Sequence, residues 1–149
     1  ILLPTDGSKN SERAIAHALT IAEFEDAEIV VLNVVDSVYL TGLPEEDLIT
    51  KSEMILEEES KKVTSRVESI IKEIEEEKGS EGKDIKITTK TIEGNAADVI
   101  LKISESEDID LIVIASSGKH MLDSFLLGSV TEKTVRHTKV PILVIPNEE

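Results

Sequence analysis

The sequence contains no cysteine and no tryptophan, and it has few aromatic residues of any kind. Without cysteine it offers no disulfide, no thiolate zinc site and no thiol nucleophile. The aromatic residues are Phe24, Tyr39 and Phe125, which are too few to build the base-stacking platforms of single-stranded nucleic-acid binders. Basic residues are also scarce, since 16 Lys and Arg stand against 31 Asp and Glu and leave a net charge of −15. We expect no nucleic-acid partner, because this charge repels a phosphate backbone.

Long hydrophobic runs are missing as well. No apolar stretch approaches the ~18 residues that a membrane-spanning helix needs, so we expect no membrane partner. The chain opens with Ile1, Leu2 and Leu3 and shows no basic leader segment, which favours a cytoplasmic location. Its 149 residues match the size of one domain, and its composition is that of an ordinary globular protein. We expect a single domain over residues 1–149.

Short apolar segments alternate with helical patterns along the chain. Five segments have the composition of β-strands, and the second, fourth and fifth are nearly continuous hydrophobic runs, typical of strands that a parallel sheet buries on both faces. Four segments repeat apolar residues at helical spacing. This alternation predicts a doubly wound, flavodoxin-like α/β fold with right-handed crossovers. The predicted strands are residues 1–3, 28–35, 84–92, 110–114 and 141–145, and the predicted helices are residues 11–23, 48–78, 96–103 and 130–137.

The residues directly after the strands are candidate ligand contacts, because open α/β sheets bind ligands outside the carboxyl ends of their strands. Pro4, Thr5 and Asp6 follow the first strand, and Ala115 follows the fourth. Between the second strand and the long helix, residues 38–50 contain a glycine and a proline and are predicted to form a mobile loop.

Two glycines and a serine lie between the fourth strand and the last helix. Gly118 and Gly128 allow the backbone to approach a ligand closely or to adopt a positive φ. Ser129 stands where the last helix is predicted to begin, so its N–H group and those of Val130 and Thr131 are donors that attract phosphate. Residues 129–132 also have the pattern of a capping box, with Gly128 ending a short preceding helix. The residues alone leave a helix cap and a phosphate site both open.

These segments resemble the universal stress protein family over essentially the whole chain. Ile1 to Ala14 is similar to the family's first strand and turn, and residues 127–132 and 140–146 are similar to its last helix and strand.

The glycines also match a motif of the nucleotide-binding branch of this family, G-x2-G-x9-G-S/T. Gly118, Gly128 and Ser129 fit its last three positions, and Ala115 stands at the first position in place of glycine. The sequence leaves open whether this methyl group abolishes nucleotide binding or retunes it.

The resemblance implies an adenine-nucleotide-hydrolase-like, three-layer sandwich with five parallel strands in the order 3-2-1-4-5. It implies ATP, ADP or AMP as the ligand, with Mg²⁺ or Mn²⁺ bridging the phosphates. The base would pack against Pro4, Val34 and Ile114 and bond to the Val34 backbone, while Asp6 would contact the ribose–phosphate region directly or through a metal-bound water. The glycine loop and the start of the last helix would cradle the phosphates. The implied site comprises Pro4, Thr5, Asp6, Val34, Ile114, Ala115, Gly118, Gly128, Ser129 and Val130.

The function that the resemblance implies is a sensor or regulatory module of the stress response. We expect at most a slow intrinsic ATPase, because the chain has no Gln, no arginine near the glycine loop and no clear general base. The alternative is a nucleotide-free, dimeric interaction protein of the same fold. We expect a homodimer through antiparallel pairing of Val140 to Ile145, an apolar strand at the end of the sheet, as the resemblance also implies.

Overall fold

The computed structural model describes residues 1–36, 48–79, 84–117 and 127–147. Within these ranges five strands alternate with four helices, as predicted, with boundaries shifted by a few residues. The predicted loop falls mostly on residues outside the described ranges. The strands are β1 Leu2–Thr5, β2 Ile29–Val35, β3 Ile87–Glu93, β4 Ile112–Ala115 and β5 Ile142–Ile145, and the helices are α1 Lys9–Glu25, α2 Leu48–Lys78, α3 Ala96–Ser106 and α4 Ser129–His137.

The strands form one parallel sheet in the order β3-β2-β1-β4-β5, which confirms the predicted order. In this sheet Leu2 of β1 lies between Val30 of β2 and Ile112 of β4. The chain winds outward from β1 to β3 and then crosses back to β4, so the direction of winding reverses between β1 and β4. This reversal is the topological switch point, where α/β folds open a crevice at the carboxyl ends of the strands.

Helices cover both faces of the sheet and complete a three-layer sandwich. On one face, Ile15 of α1 and Val67 of α2 pack against Leu3 in one buried core cluster. On the other face, Ile100 of α3 packs against Leu32 in a second cluster, and α4 lies beside α3. The apolar stripes expected from helical spacing therefore face the sheet.

Side-chain caps start α1 and α3, and an ion pair joins α1 to α2. The Ser8 hydroxyl caps α1 by accepting a hydrogen bond from the N–H of Ser11, and the predicted cap Asn95 accepts one from Asp98 at the start of α3. Arg66 of α2 donates two hydrogen bonds, of 2.6 and 2.9 Å, to the carboxylate of Glu12 in the first turn of α1. No helix in the described part of the chain is both long enough and apolar enough to cross a membrane.

β5 closes one edge of the sheet and is half exposed. Ile145 is buried, whereas the side chain of Leu143 is 38% exposed. Burial on both faces, expected from the apolar run, is wrong for this strand, because the helices cover the edge of the sheet incompletely. Its position at the edge, next to β4 alone, agrees with the predicted strand order. An apolar strand with a free edge is a surface on which another strand can pair.

The two core clusters predict at which positions a shortened side chain destabilises the fold. Ile112→Ala should lower the free energy of unfolding by about 2–5 kcal/mol, because the cavity that it leaves lies in a core that cannot collapse freely. Phe24→Ala removes a larger side chain, but Phe24 is 84% exposed whereas Ile112 is fully buried. Chemical denaturation of both variants checks this contrast, and an equal loss for the two would contradict the placement of the core.

Candidate functional site

A cavity of about 310 Å³ opens at the carboxyl ends of β1, β2 and β4, where the winding of the sheet reverses. Nine of the ten predicted site residues line it, and the tenth, Gly118, lies outside the described residues. The lining comprises Pro4, Thr5, Asp6, Ser11, Leu32, Val34, Ala96, Ile100, Ile114, Ala115, Ser117, Gly128, Ser129, Val130 and Thr131.

One wall of the cavity is apolar. Leu32 and Val34 alternate on β2 toward the face that carries α3, and Ile114 of β4 and Ile100 of α3 belong to the same core cluster. Pro4 is buried on β1 between these strands. Such a wall, open at the end of the strands, suits the flat and largely apolar face of a ring system.

Another part of the lining is formed where α4 begins. The N–H of Gly128 donates to the carbonyl of Ser116 at 2.8 Å, and the hydroxyl of Thr131 donates to the carbonyl of Ala115 at 2.8 Å. A Cβ atom on Gly128 would lie 3.2 Å from the Cα of Ser117. The φ of Gly128 is −62°, so the residue is not needed for a positive φ. Glycine suits this position because α4 starts close to the backbone that follows β4, and a Cβ there would make a tight contact.

The start of α4 has no side-chain cap. Gly128 is the N-cap, because its carbonyl accepts the N–H of Glu132, and Ser129 is the first helical residue. The predicted capping box is therefore wrong: the helix starts one residue earlier than that pattern requires, at a residue with no side chain. Within the described part of the chain, the backbone N–H groups of Ser129 and Val130 take part in no hydrogen bond. Uncapped N–H groups of this kind, at the positive end of a helix dipole, are the donors through which helix N-termini can bind anions.

A tight turn after β1 lines the mouth of the cavity. The carboxylate of Asp6 accepts the N–H of Ser8 at 2.9 Å, and Gly7 between them has a φ of +75°, which favours glycine. The hydroxyl of Thr5 bonds to that of Ser11 at 2.9 Å and accepts the N–H of Gly7. Asp6 is thus an acid of the turn and also a residue of the cavity wall.

Ala115 ends β4 as a regular strand residue. It pairs with Ile145 of β5, and Asp26 and Asp108 are the non-glycine residues with positive φ among those described. The methyl group that replaces the glycine of the motif therefore introduces no backbone strain. Its effect is confined to the small volume that it occupies at the cavity wall.

The family model described as the universal stress protein family matches residues 1–146. The chain belongs to the universal stress protein family. It is 37% identical over 145 residues to Universal stress protein MJ0531 of Methanocaldococcus jannaschii, which covers 97% of this chain and 80% of that protein.

Solved structures of universal stress proteins share the fold. The structure of MJ0577 from the same organism is 30% identical and superposes with a TM-score of 0.79, over 99% of this chain and 95% of the other. A universal stress protein of Archaeoglobus fulgidus, solved in complex with dAMP, is 18% identical with a TM-score of 0.60, over 97% and 94% of the two chains. At that identity the likeness concerns the fold alone.

Several residues of this universal stress protein line the cavity without having been predicted. Ala96 and Ile100 share the buried face of α3, and the Asn95 cap could have placed that face at the carboxyl end of the sheet. Leu32 follows from Val34 by strand alternation. Ser117 gave no separate signal, because its role depends on the contact between α4 and β4. Thr131 was expected only as a backbone N–H donor, and its hydroxyl bond to Ala115 was not predicted.

Thr131→Val tests how α4 is held. Thr131 is 3% exposed, so losing its hydroxyl leaves the Ala115 carbonyl without that donor and should lower the free energy of unfolding by about 1–3 kcal/mol. Thr20→Val is the matched control, since that hydroxyl bonds to Ala16 of its own helix on the exposed side of α1. Thermal and chemical unfolding measures the free energy of unfolding of both variants. An equal loss for the two would contradict the role of Thr131.

Proposed function

We propose that this chain binds an adenine nucleotide in the cavity and acts in the cytoplasm as a sensor or regulatory module of the stress response. The base would pack against Pro4, Val34 and Ile114, and the phosphates would lie at the start of α4. One observation carries the proposal: a single cavity joins an apolar wall to an uncapped helix N-terminus. A nucleotide has the same division into an apolar ring and an anionic tail.

Local dipoles, and not the net charge, would attract the phosphates. The chain as a whole carries −15, and the described lining of the cavity contains no Lys, Arg or His. The donors available are the backbone N–H groups of Ser129 and Val130 and the hydroxyl groups nearby. Helix N-termini bind phosphate through such N–H groups, and the helix dipole adds to the attraction.

A divalent cation fits this arrangement. Mg²⁺ is commonly held by one or two carboxylates together with phosphate oxygens and water, and Asp6 is the carboxylate in the described lining. No group of three or more metal-binding side chains occurs among the described residues. We propose that the phosphates would supply most ligands of Mg²⁺ or Mn²⁺, with Asp6 contacting the cation or its water.

The same lining argues against rapid hydrolysis. Phosphoryl transfer needs an oriented water and a group that stabilises the charge of the transition state. The sequence has no Gln, and no cationic side chain belongs to the described lining. Any ATPase activity should therefore be slow, and binding would be the function of the site.

Two variants of Ser129 isolate the proposed backbone donor. Ser129→Pro removes an N–H at the first position of α4, where proline is well tolerated and the extended Gly128 before it needs no change. Ser129→Ala removes only the hydroxyl. ATP with Mg²⁺ should bind about tenfold more weakly to the proline variant than to the alanine variant. Titration calorimetry measures the difference, with a thermal melt to verify folding.

The wild-type chain is tested in the same experiment. Denatured protein is analysed for released nucleotide by absorbance and chromatography, and clean protein is titrated with ATP, ADP and AMP. Failure to bind any of them would overturn the proposal and favour the nucleotide-free interaction protein. Equal affinity of the two Ser129 variants would show that the phosphates do not lie at the start of α4.

We also propose that β5 pairs with β5 of a second copy to form a homodimer. The strand is an exposed sheet edge with an apolar side chain, Leu143, facing out. Antiparallel pairing there would satisfy the free backbone groups of both edges and bury the apolar strand.

Leu143→Lys tests the dimer against a control of equal exposure. Leu143 on β5 and Val135 on α4 are both 38% exposed, so a lysine at either position adds the same charge at a similar surface. The wild type and Val135→Lys should sediment as dimers, whereas Leu143→Lys should dissociate on dilution. A wild type that remains a monomer at all concentrations would contradict the proposed interface.

A further inference from the structure

A polar clasp joins the end of the edge strand to the wall of the cavity. The clasp consists of Asn147, which lies two residues beyond β5, and of Ser116 and Ser117, which follow β4. The side-chain Nδ2 of Asn147 donates to the Oγ of Ser117 at 2.5 Å, and its Oδ1 accepts from the Oγ of Ser116 at 3.2 Å. One amide thus holds two consecutive hydroxyl groups.

The segment that carries Asn147 is itself fixed. The guanidinium of Arg13 on α1 donates to the carbonyl of Pro146 at 2.6 Å, and Ser116 bonds through its N–H to the carbonyl of Ile145 at 2.8 Å. The two residues before Asn147 are therefore held from α1 and from the segment after β4, which fixes the backbone from which its amide extends.

The two hydroxyl groups of the clasp use their hydrogens differently. A serine hydroxyl has one hydrogen to donate and lone pairs to accept. Ser116 donates its hydrogen to Asn147, whereas Ser117 accepts a hydrogen from Asn147 and keeps its own. Within the described residues the Oγ of Ser117 takes part in no other hydrogen bond.

The position of Ser117 places this hydroxyl hydrogen where a ligand in the cavity could accept it. Ser117 is 2% exposed and lines the cavity, and its Cα lies next to Gly128 at the start of α4. A buried donor is stabilised only when an acceptor reaches it. Phosphate oxygens are acceptors, and the uncapped N–H groups of α4 would bring them to this end of the cavity.

We propose that Ser117 donates its hydroxyl hydrogen to a phosphate oxygen of the bound ligand and that Asn147 is the positioning residue that keeps this hydrogen available. The proposal rests on the proposed nucleotide site and adds to it a side-chain donor and a residue from beyond β5. It makes the segment after the edge strand part of the binding site.

Ser117→Ala tests the donor. ATP with Mg²⁺ should bind about tenfold more weakly, as expected for a lost hydrogen bond to a charged group, while adenosine, which has no phosphate, should bind as it does to the wild type. Ser104→Ala is the matched control, because Ser104 is also 2% exposed and bonds to Leu101 of its own helix. It should leave both affinities unchanged. Ser117→Cys, which nearly preserves volume and donates weakly, serves if the alanine variant does not fold.

Asn147→Asp tests the positioning role. A carboxylate can only accept, so it would take the hydrogens of both serines and leave none for the ligand. This variant should keep its melting temperature yet lose ATP affinity as Ser117→Ala does. The double variant should bind no more weakly than Ser117→Ala alone, because both changes remove one interaction. Additive losses would mean that the new charge acts by itself, and would reject the role of Asn147.

The outcomes separate the two proposals. If the wild type binds neither ATP nor adenosine, the proposed nucleotide site is refuted, and the proposed role of Ser117 is refuted with it. A wild type that binds ATP, with Ser117→Ala or Ser117→Cys equal to it in affinity, leaves the nucleotide site standing and overturns the role of Ser117. Equal losses of ATP and adenosine in a folded Ser117→Ala variant would also overturn it, since a phosphate contact cannot affect the nucleoside.

Discussion

The contact between the end of β4 and the start of α4 is the constraint on which the site depends. Two hydrogen bonds, from Gly128 to Ser116 and from Thr131 to Ala115, hold the helix against the strand. Gly128 eases this approach, because a Cβ there would lie 3.2 Å from the Cα of Ser117, a tight contact that the neighbouring backbone would have to relieve by a small shift. A glycine at the N-cap also cannot cap the helix with a side chain. The close packing and the uncapped helix start therefore have one cause.

The sheet topology supplies the rest of the cavity. Because the winding reverses between β1 and β4, the connections that leave these two strands diverge and open a crevice beyond their carboxyl ends. Pro4 and Ile114 reach that space from these two strands, and Val34 reaches it from β2. An apolar wall and an uncapped helix start thus meet through chain topology, although the residues concerned are far apart in sequence.

The fold could be predicted largely from the sequence, because apolar runs and helical stripes each fix one element. The start of α4 could not, since a capping box and a glycine N-cap differ by one residue and the pattern of Ser129 to Glu132 allows both. The place of β5 at the edge of the sheet was predicted with the strand order, but its partial exposure was not, because an apolar run does not tell how completely helices cover a strand. Ser117 and Asn147 are 30 positions apart in sequence, so no local sequence pattern could predict their hydrogen bond.

The charge of the chain limits what the proposed site can hold. With −15 overall and no cationic side chain in the described lining, free phosphate or pyrophosphate would meet repulsion at long range and only neutral donors at the end. A ligand that also fills the apolar wall gains hydrophobic free energy that an inorganic anion lacks. Neutral donors in a partly buried cavity are also screened by salt less than surface lysines are. At the proposed site this arrangement would select for a molecule that carries both a ring and a phosphate, and it would discriminate against the phosphate alone.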